Sequence, residues 1–296
     1  MHCLRYFLIS LTFGLFFLTQ SSSETYAIQW QALHDESRTL TIGEINSRLK
    51  AEPDDNELLY LAGLVYLYEY DYSNAKSAFE KLLELDPESH EAEWGLCELL
   101  RREHKLNESS RRLKILVREH PDFSPAFITL GFIKYLTLDF HECIRLAEHV
   151  IDQGIENVDI ENFVRAHLMI TAACGMLTHH GNPFKKMIYG PRALRHLKIA
   201  EKILPNAAGT LFAKGTFYLL APRFFGRDLD KAEKLLLTSI KKDPNFVDSY
   251  VRLAQVYKWK GNQEKYREYM LKARQKDPLN ELLIDMDEKS CNFICK

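Results

Sequence analysis

Apolar residues recur along this chain in pairs of helical segments, and the same pairing repeats many times. In the first clear unit, Leu59 and Gly63 fall on one helical face, and after a polar break Ala75 and Phe79 fall on the face of a second helix. Pro87 ends the unit, because proline cannot continue a helix and restricts the residue before it. The pattern predicts two antiparallel helices that cross closely at Gly63 and Ala75.

The unit has a fixed period. Pro53, Pro87 and Pro121 are evenly spaced, and the interval from Pro244 to Pro278 is the same. A period of about 34 residues is typical of tetratricopeptide helical hairpins. We therefore expect an all-α, right-handed tetratricopeptide-type solenoid of about seven hairpins with a C-terminal capping helix. The predicted hairpins lie near residues 24–53, 56–87, 90–121, 124–154, 158–205, 206–244 and 247–278, and the cap and tail occupy 279–296.

Two hairpins exceed the period, and we expect their extra residues to form loops at 178–191 and 220–229. Equivalent turns of a stacked array fall on the same edge, so the two loops should be neighbours in space. The residues of these two loops predict a basic, aromatic edge that could contact an acidic partner, a lipid head group or an anion. The alternative is a solvated loop pair held down by its aromatic residues. The edge residues are Lys185, Lys186, Tyr189, Arg192, Arg223, Phe225 and Arg227.

The first helices of successive hairpins should line the concave face, and the residues predicted to face it are largely apolar. Two interpretations remain open. The residues could form a groove for a hydrophobic ligand, an extended peptide or a partner helix, or a second buried core if the hairpins curl tightly. The predicted groove residues are Tyr60, Leu64, Leu67, Tyr68, Trp94, Ile128, Phe132, Tyr135 and Phe212, with Glu98, Arg101, Arg102 and Gln255 among their neighbours.

Composition and motifs argue for binding rather than chemistry. The formal net charge is -2, so no global charge favours nucleic acid or an anionic membrane. No nucleotide-binding, serine-hydrolase or zinc-protease motif is present in the sequence. His179, His180 and His196 have no carboxylate or cysteine at ligand spacing, so we expect no metal site. We expect no cofactor and no catalytic residue.

The first residues predict export. Arg5 precedes an apolar run at 6–18, and small polar residues follow it. This is the pattern of a secretory signal, predicted at 1–23, or of an uncleaved N-terminal anchor. Cys97, Cys143 and Cys174 fall where the hairpins need small core residues. Cys291 and Cys295 could pair only if the last helix ends before them.

The C-terminal half resembles a known family. The segments YGPRALRHLKIAEKILP, KGTFYLLAPRFFGRDLDKAEKLLLTSIKKDP and DSYVRLAQVYKWKGN, within about residues 174–278, resemble the periplasmic tetratricopeptide component associated with TRAP-type transporters. The resemblance implies an exported helical array with an apolar channel and a periplasmic solute-binding protein as partner. Tyr60, Leu64 and Trp94 replace the charged carboxylate clamp of cytosolic chaperone adaptors, so that role is not expected. We expect a non-catalytic scaffold of the cell envelope, or a transporter-associated component that handles a hydrophobic ligand.

Overall fold

Helical hairpins stacked side by side make up the molecule. The computed structural model describes residues 29–290, 292 and 293; the predicted signal at 1–23 and the two C-terminal cysteines lie outside the described residues. This part of the chain is all helical, as expected. Its α-helices are α1 (Trp30–Ser37), α2 (Ile42–Ala51), α3 (Asn56–Tyr68), α4 (Tyr72–Leu85), α5 (His90–Arg102), α6 (Leu106–Glu119), α7 (Ser124–Leu136), α8 (Phe140–Asp152), α9 (Ile160–His180), α10 (Pro183–Ile203), α11 (Ala208–Leu220), α12 (Leu229–Lys242), α13 (Val247–Trp259), α14 (Gln263–Lys276) and α15 (Glu281–Glu288).

Local signals place the helix ends. Asp55, Asp71 and Ser89 each accept a hydrogen bond from a backbone N–H in the first turn of the following helix, which satisfies donors that the helix itself cannot pair. The turns inside the hairpins contain a left-handed residue. Tyr70, His104 and Leu138 have φ values of 60°, 59° and 63°. They recur at the same interval as the prolines, so the turn geometry repeats with the sequence period.

Adjacent hairpins pack closely where the large Phe79 ring lies against glycines. Phe79 on α4 is fully buried. An ideal Cβ at Gly63 would overlap its Cε1 atom, and one at Gly95 of the next hairpin would lie 2.5 Å from its Cε2 atom. The ring therefore occupies the space that two missing side chains leave, as the pattern of small and large residues predicts.

The predicted loop at 178–191 is wrong. α9 continues to His180, and α10 begins at Pro183, so only Gly181 and Asn182 separate them. The Asn182 side chain accepts a hydrogen bond from the N–H of Lys185. Pro183 suits the first helical position, because the backbone N–H that proline lacks would have no partner within the helix there. Pro191 lies inside α10. The extra residues thus lengthen two helices instead of forming a loop.

The array curls so that hairpins far apart in sequence meet. The Tyr70 hydroxyl lies 3.2 Å from the Asp243 carboxylate, and the His104 Nε2 atom lies 3.2 Å from the Asp277 carboxylate. Both pairs span 173 residues. The turns of the second and third hairpins therefore contact the segments that follow the sixth and seventh hairpins, one repeat apart on both sides.

Candidate functional site: the concave channel

Side chains from hairpins far apart in sequence meet across the concave face, which we call the channel. The Tyr68 hydroxyl on α3 donates a hydrogen bond to Glu161 on α9. Glu161 also accepts a hydrogen bond from Arg165 at 3.2 Å, and the Nε atom of Arg38 lies 3.5 Å from it. Hairpins one, two and five are thus joined through one carboxylate.

Helix α1 covers the first part of the channel. The His34 Nε2 atom lies 2.8 Å from the Tyr60 hydroxyl, and the Trp30 ring packs edge-on against Phe123 with centroids 5.3 Å apart. Burial lowers the pKa of His34 to about 3, so the imidazole is neutral. An uncharged ring can remain in this apolar layer without a counter-ion.

Five of the predicted groove residues therefore belong to the core. Tyr60 and Trp94 are 0% and 5% exposed, and Leu64, Leu67 and Ile128 are buried with them. For these positions the second-core interpretation describes the packing, and α1 packs over the rings of Tyr60 and Trp94. The half-buried members are Tyr68, Phe132, Tyr135 and Phe212.

A charged network on α5 contacts the aromatic residues of the channel. Glu98 accepts hydrogen bonds from Arg101 at 2.6 and 2.9 Å and from Arg102 at 2.9 Å. Burial alone would raise the pKa of Glu98, but the two guanidinium groups hold it well below its usual range. Arg101 also lies over the Phe132 ring, 4.9 Å from the centroid. The channel is therefore not uniformly apolar.

The second part of the channel holds Phe293. Phe293 is 4% exposed, and its ring lies 5.4 Å from that of Tyr135. Its backbone is held on both sides: the N–H donates to Asp285 at 2.9 Å, and Arg252 donates to the carbonyl at 2.9 Å. His180 lies 3.2 Å from the carbonyl oxygen of Asn292.

Sequence reasoning missed this arrangement. The surrounding residues lie on the first helices of hairpins four, five and seven, and of Tyr135, His180 and Arg252 only Tyr135 was predicted to face the groove. Phe293 itself lies beyond Pro278, the last proline of the repeat series. A single aromatic residue after the final repeat was the available signal.

The predicted basic edge is divided. Tyr189 packs near His141 with centroids 6.1 Å apart, and Arg192 forms an ion pair with Glu148. Arg227 instead lies 4.7 Å from the centroid of the Trp259 ring. Across residues 29–290, no hydrogen bond, ion pair or ring contact joins segment 178–191 to segment 220–229. Lys185, Lys186, Arg223 and Phe225 are exposed.

The described thiols and histidines are placed for packing. Cys97, Cys143 and Cys174 are free and buried, and burial raises the pKa of Cys97 and Cys143 to about 12. His167 and His196 share a hydrogen bond of 2.8 Å between their Nδ1 atoms. Among the described residues, no group of three or more His, Cys, Asp or Glu side chains is arranged to hold a metal ion.

A separate cleft of about 770 Å³ lies between α1 and the segment before α9. Asp35, Asp122 and Asp159 are among its lining residues. Burial raises the pKa of Asp35, and the nearby Asp159 carboxylate raises it further. The cleft therefore combines carboxylates with apolar residues, in contrast to the predicted apolar groove.

Comparison with known proteins agrees with this architecture. Residues 66–130 match the tetratricopeptide repeat family. The chain folds as a tetratricopeptide-type solenoid. A curated relative, the anaphase-promoting complex subunit CDC16 of Saccharomyces cerevisiae, is 22% identical; the match covers 71% of this chain and 27% of that protein.

Two solved structures have a similar fold. The APC/C hetero-tetramer Cut9–Hcn1 has a TM-score of 0.57 at 14% identity, covering 90% of this solenoid and 48% of that chain. A tetratricopeptide repeat protein from Parabacteroides merdae has a TM-score of 0.52 at 10% identity, covering 88% of this solenoid and 97% of that chain. This solenoid spans about a quarter of CDC16 and half of the Cut9–Hcn1 chain, and these likenesses show the fold alone.

Proposed function

We propose that this solenoid is a non-catalytic scaffold of the cell envelope that binds a protein partner through an extended segment carrying an aromatic residue. The observation that carries the proposal is Phe293, which lies in the channel as a peptide ligand would. Arg252 and Asp285 contact its backbone carbonyl and N–H, and Tyr135 contacts its ring. Backbone contacts suit many sequences, whereas the ring site selects an aromatic residue.

The charged groups of the channel favour a peptide over a purely hydrophobic ligand. Arg252 is 2% exposed and Asp285 is 3% exposed. Buried charged groups need hydrogen-bonding partners, which a peptide backbone supplies and a hydrocarbon does not. In this proposal the C-terminal residues act as a stand-in ligand that a partner segment displaces.

We propose export and a transporter-associated role on the basis of the sequence. The basic start and apolar run at 6–18 support an envelope address. The resemblance of residues 174–278 to the TRAP-associated component supports a periplasmic solute-binding protein as partner. Co-elution of this chain with the purified periplasmic solute-binding protein tests this role. Separate elution of the two proteins at micromolar concentration contradicts it.

The peptide site is tested with a defined probe. A fluorescent peptide with the sequence of residues 286–296, its two cysteines replaced by serine, is titrated into the full chain and into its Phe293→Ala variant. We expect binding to the variant to be at least about tenfold tighter, because the internal competitor no longer fills the ring site.

Two controls separate this result from nonspecific binding. A peptide that carries alanine at the position of Phe293 should bind the variant at least about tenfold more weakly than the parent peptide. A second receptor variant, Tyr135→Ala in the Phe293→Ala background, should lose the parent peptide while its circular dichroism spectrum is retained. Equal binding of both peptides would contradict an aromatic site in the channel.

A further inference from the structure

Basic residues are concentrated in one stretch of a chain that is slightly negative overall. Residues 162–227 contain ten Lys or Arg side chains and a single acidic residue, Glu201, whereas the formal net charge of the whole chain is -2. The net charge of the whole chain favours no anionic partner, but this argument does not apply to residues 162–227. Arg165, Arg192 and Lys214 pair with carboxylates, and the other seven basic side chains can attract anions whatever the net charge of the protein.

The N-terminal half of α10 lies within this stretch and projects into solvent. Every residue from 182 to 188 is exposed. Phe184 and Met187 are 65% and 68% exposed, and Ile188 is 47% exposed. The spacing of 184, 187, 188 and 191 is that of one helical face. This apolar face points away from the solenoid, since the buried residues of α10 are Leu197 and Ala200 on its other side.

Basic side chains share the projecting end of α10 with the apolar face. Lys185 and Lys186 are exposed beside Phe184, and Arg195 is exposed further along the helix. No acidic residue lies in α10 before Glu201. The same basic stretch contains Phe224 and Phe225, which are 99% and 76% exposed.

We propose that the exposed face of α10 formed by Phe184, Met187 and Ile188, together with the exposed Lys185 and Lys186 of the same helix end, docks on an anionic lipid surface. A helix with large apolar side chains on one face and basic residues beside them binds in the plane of a bilayer interface. The lysine ammonium groups reach anionic head groups while their methylene stems remain near the apolar layer.

One observation and one prediction from the sequence favour a lipid surface over an acidic protein. The face lies on a projecting helix end, which can enter a deformable interface without a complementary pocket. The predicted signal or anchor at 1–23 would also bring the chain to a membrane during export. None of the helices within residues 29–290 is long and apolar enough to cross a bilayer. The proposed contact is with the interface of the bilayer.

Vesicle co-sedimentation tests the proposal. The purified full chain is mixed with vesicles of phosphatidylcholine alone, or of three parts phosphatidylcholine to one part phosphatidylglycerol. We expect sedimentation with the anionic vesicles only, and weaker binding in about 0.5 M NaCl, because salt screens the charges. Lys185→Glu with Lys186→Glu should weaken the partition constant at least about tenfold, because two attractive charges become repulsive. Phe184→Ser with Met187→Ser should weaken binding at both salt concentrations.

A matched variant on α6 controls for general loss of charge and apolar area. Lys114 and Ile115 are exposed, and Ile115 is 48% exposed, so Lys114→Glu with Ile115→Ser changes similar side chains elsewhere. This variant should bind as the parent chain does. The proposal is wrong if the chain stays in solution with both vesicle types, or if the α6 variant loses as much binding as the α10 variants.

Discussion

The imidazole of His104 joins two ends of one superhelical turn. Its Nε2 atom lies 3.2 Å from Asp277, which is 173 residues further along the chain, and its Nδ1 atom lies 3.1 Å from Glu281. Both N–H groups of the protonated ring can donate to carboxylates. These hydrogen bonds to Asp277 and Glu281 raise the pKa of His104 to about 9.

The closure should therefore weaken at alkaline pH. The folded-state pKa of His104 lies above the unfolded value of about 6.5, so its contribution to the free energy of unfolding is fully present below pH 6.5 and is lost as the pH rises through about 9. We expect His104→Gln to remove this loss between pH 6 and pH 10, as measured by urea unfolding.

The exposed His141 supplies the comparison. His141→Gln should retain the pH dependence of the parent chain over the same range. If His104→Gln and the parent chain lose the same free energy of unfolding between pH 6 and pH 10, the ion pairs do not stabilise the closure.

Adding one methyl group at Gly95 should destabilise the fold. The new Cβ would lie 2.5 Å from the Phe79 ring, which is enclosed on its other side by Gly63. We expect Gly95→Ala to lower the free energy of unfolding by about 1–3 kcal/mol through overpacking. Phe79→Leu in the same chain should recover part of that loss, and chemical denaturation measures both.

Gly175 on α9 is the matched control for Gly95. Nothing lies within 4 Å of the position of its Cβ atom. Gly175→Ala should therefore stabilise the chain by about 0.5–1 kcal/mol, since alanine favours a helix over glycine. A loss of stability in both variants would point to a backbone effect and contradict the steric account.

Removing the carboxylate of Glu98 should leave two guanidinium groups without their partner. Glu98 is 7% exposed and hydrogen-bonded to Arg101 and Arg102. We expect Glu98→Ala to lower the free energy of unfolding by about 3–5 kcal/mol, as for other broken buried pairs. Urea unfolding measures the change, and a loss no larger than that of the exposed-site variant Glu119→Ala would contradict it.

The same carboxylate should contribute to acid sensitivity. The folded-state pKa of Glu98 is lowered, so its contribution is present above its unfolded pKa of about 4.3 and is lost as the pH falls below that value. A comparison of the parent chain with Glu98→Ala at pH 3 and pH 6 should show a smaller change in the variant. Equal changes would exclude Glu98 as a source of the acid sensitivity.

The buried thiols should report on unfolding. Burial raises the pKa of Cys97 and Cys143 to about 12 and that of Cys174 to about 11, so little thiolate forms at neutral pH. In a chain with the other three cysteines replaced by serine, a thiol reagent should react only as the protein unfolds. Rapid labelling of the native chain would contradict the burial.

Much of the fold was predictable, because its signals are local. The turns at Tyr70, His104 and Leu138 recur at the interval of the repeat prolines. The contact of Phe79 with Gly63 and Gly95 follows from the alternation of large and small residues. Both features depend on neighbouring hairpins only, which is why one period sufficed to predict them.

The segment at 178–191 was harder to predict, because its glycines and prolines resemble loop residues. The Asn182 cap and Pro183 at the first helical position instead start α10. Proline at a helix start is favourable, whereas the same residue inside a helix is costly. Sequence pattern alone did not separate these two positions.

The sequence by itself determined the period, the hairpins and the small core positions, since these depend on contacts between residues close in the repeat. Only the tertiary structure decided that α1 covers Tyr60 and Trp94, that Phe293 lies in the channel, and that His104 meets Asp277. The physical reason is that curvature accumulates from small rotations between successive hairpins. The total rotation, rather than any local residue pattern, determines which side chains meet across the channel and which remain exposed.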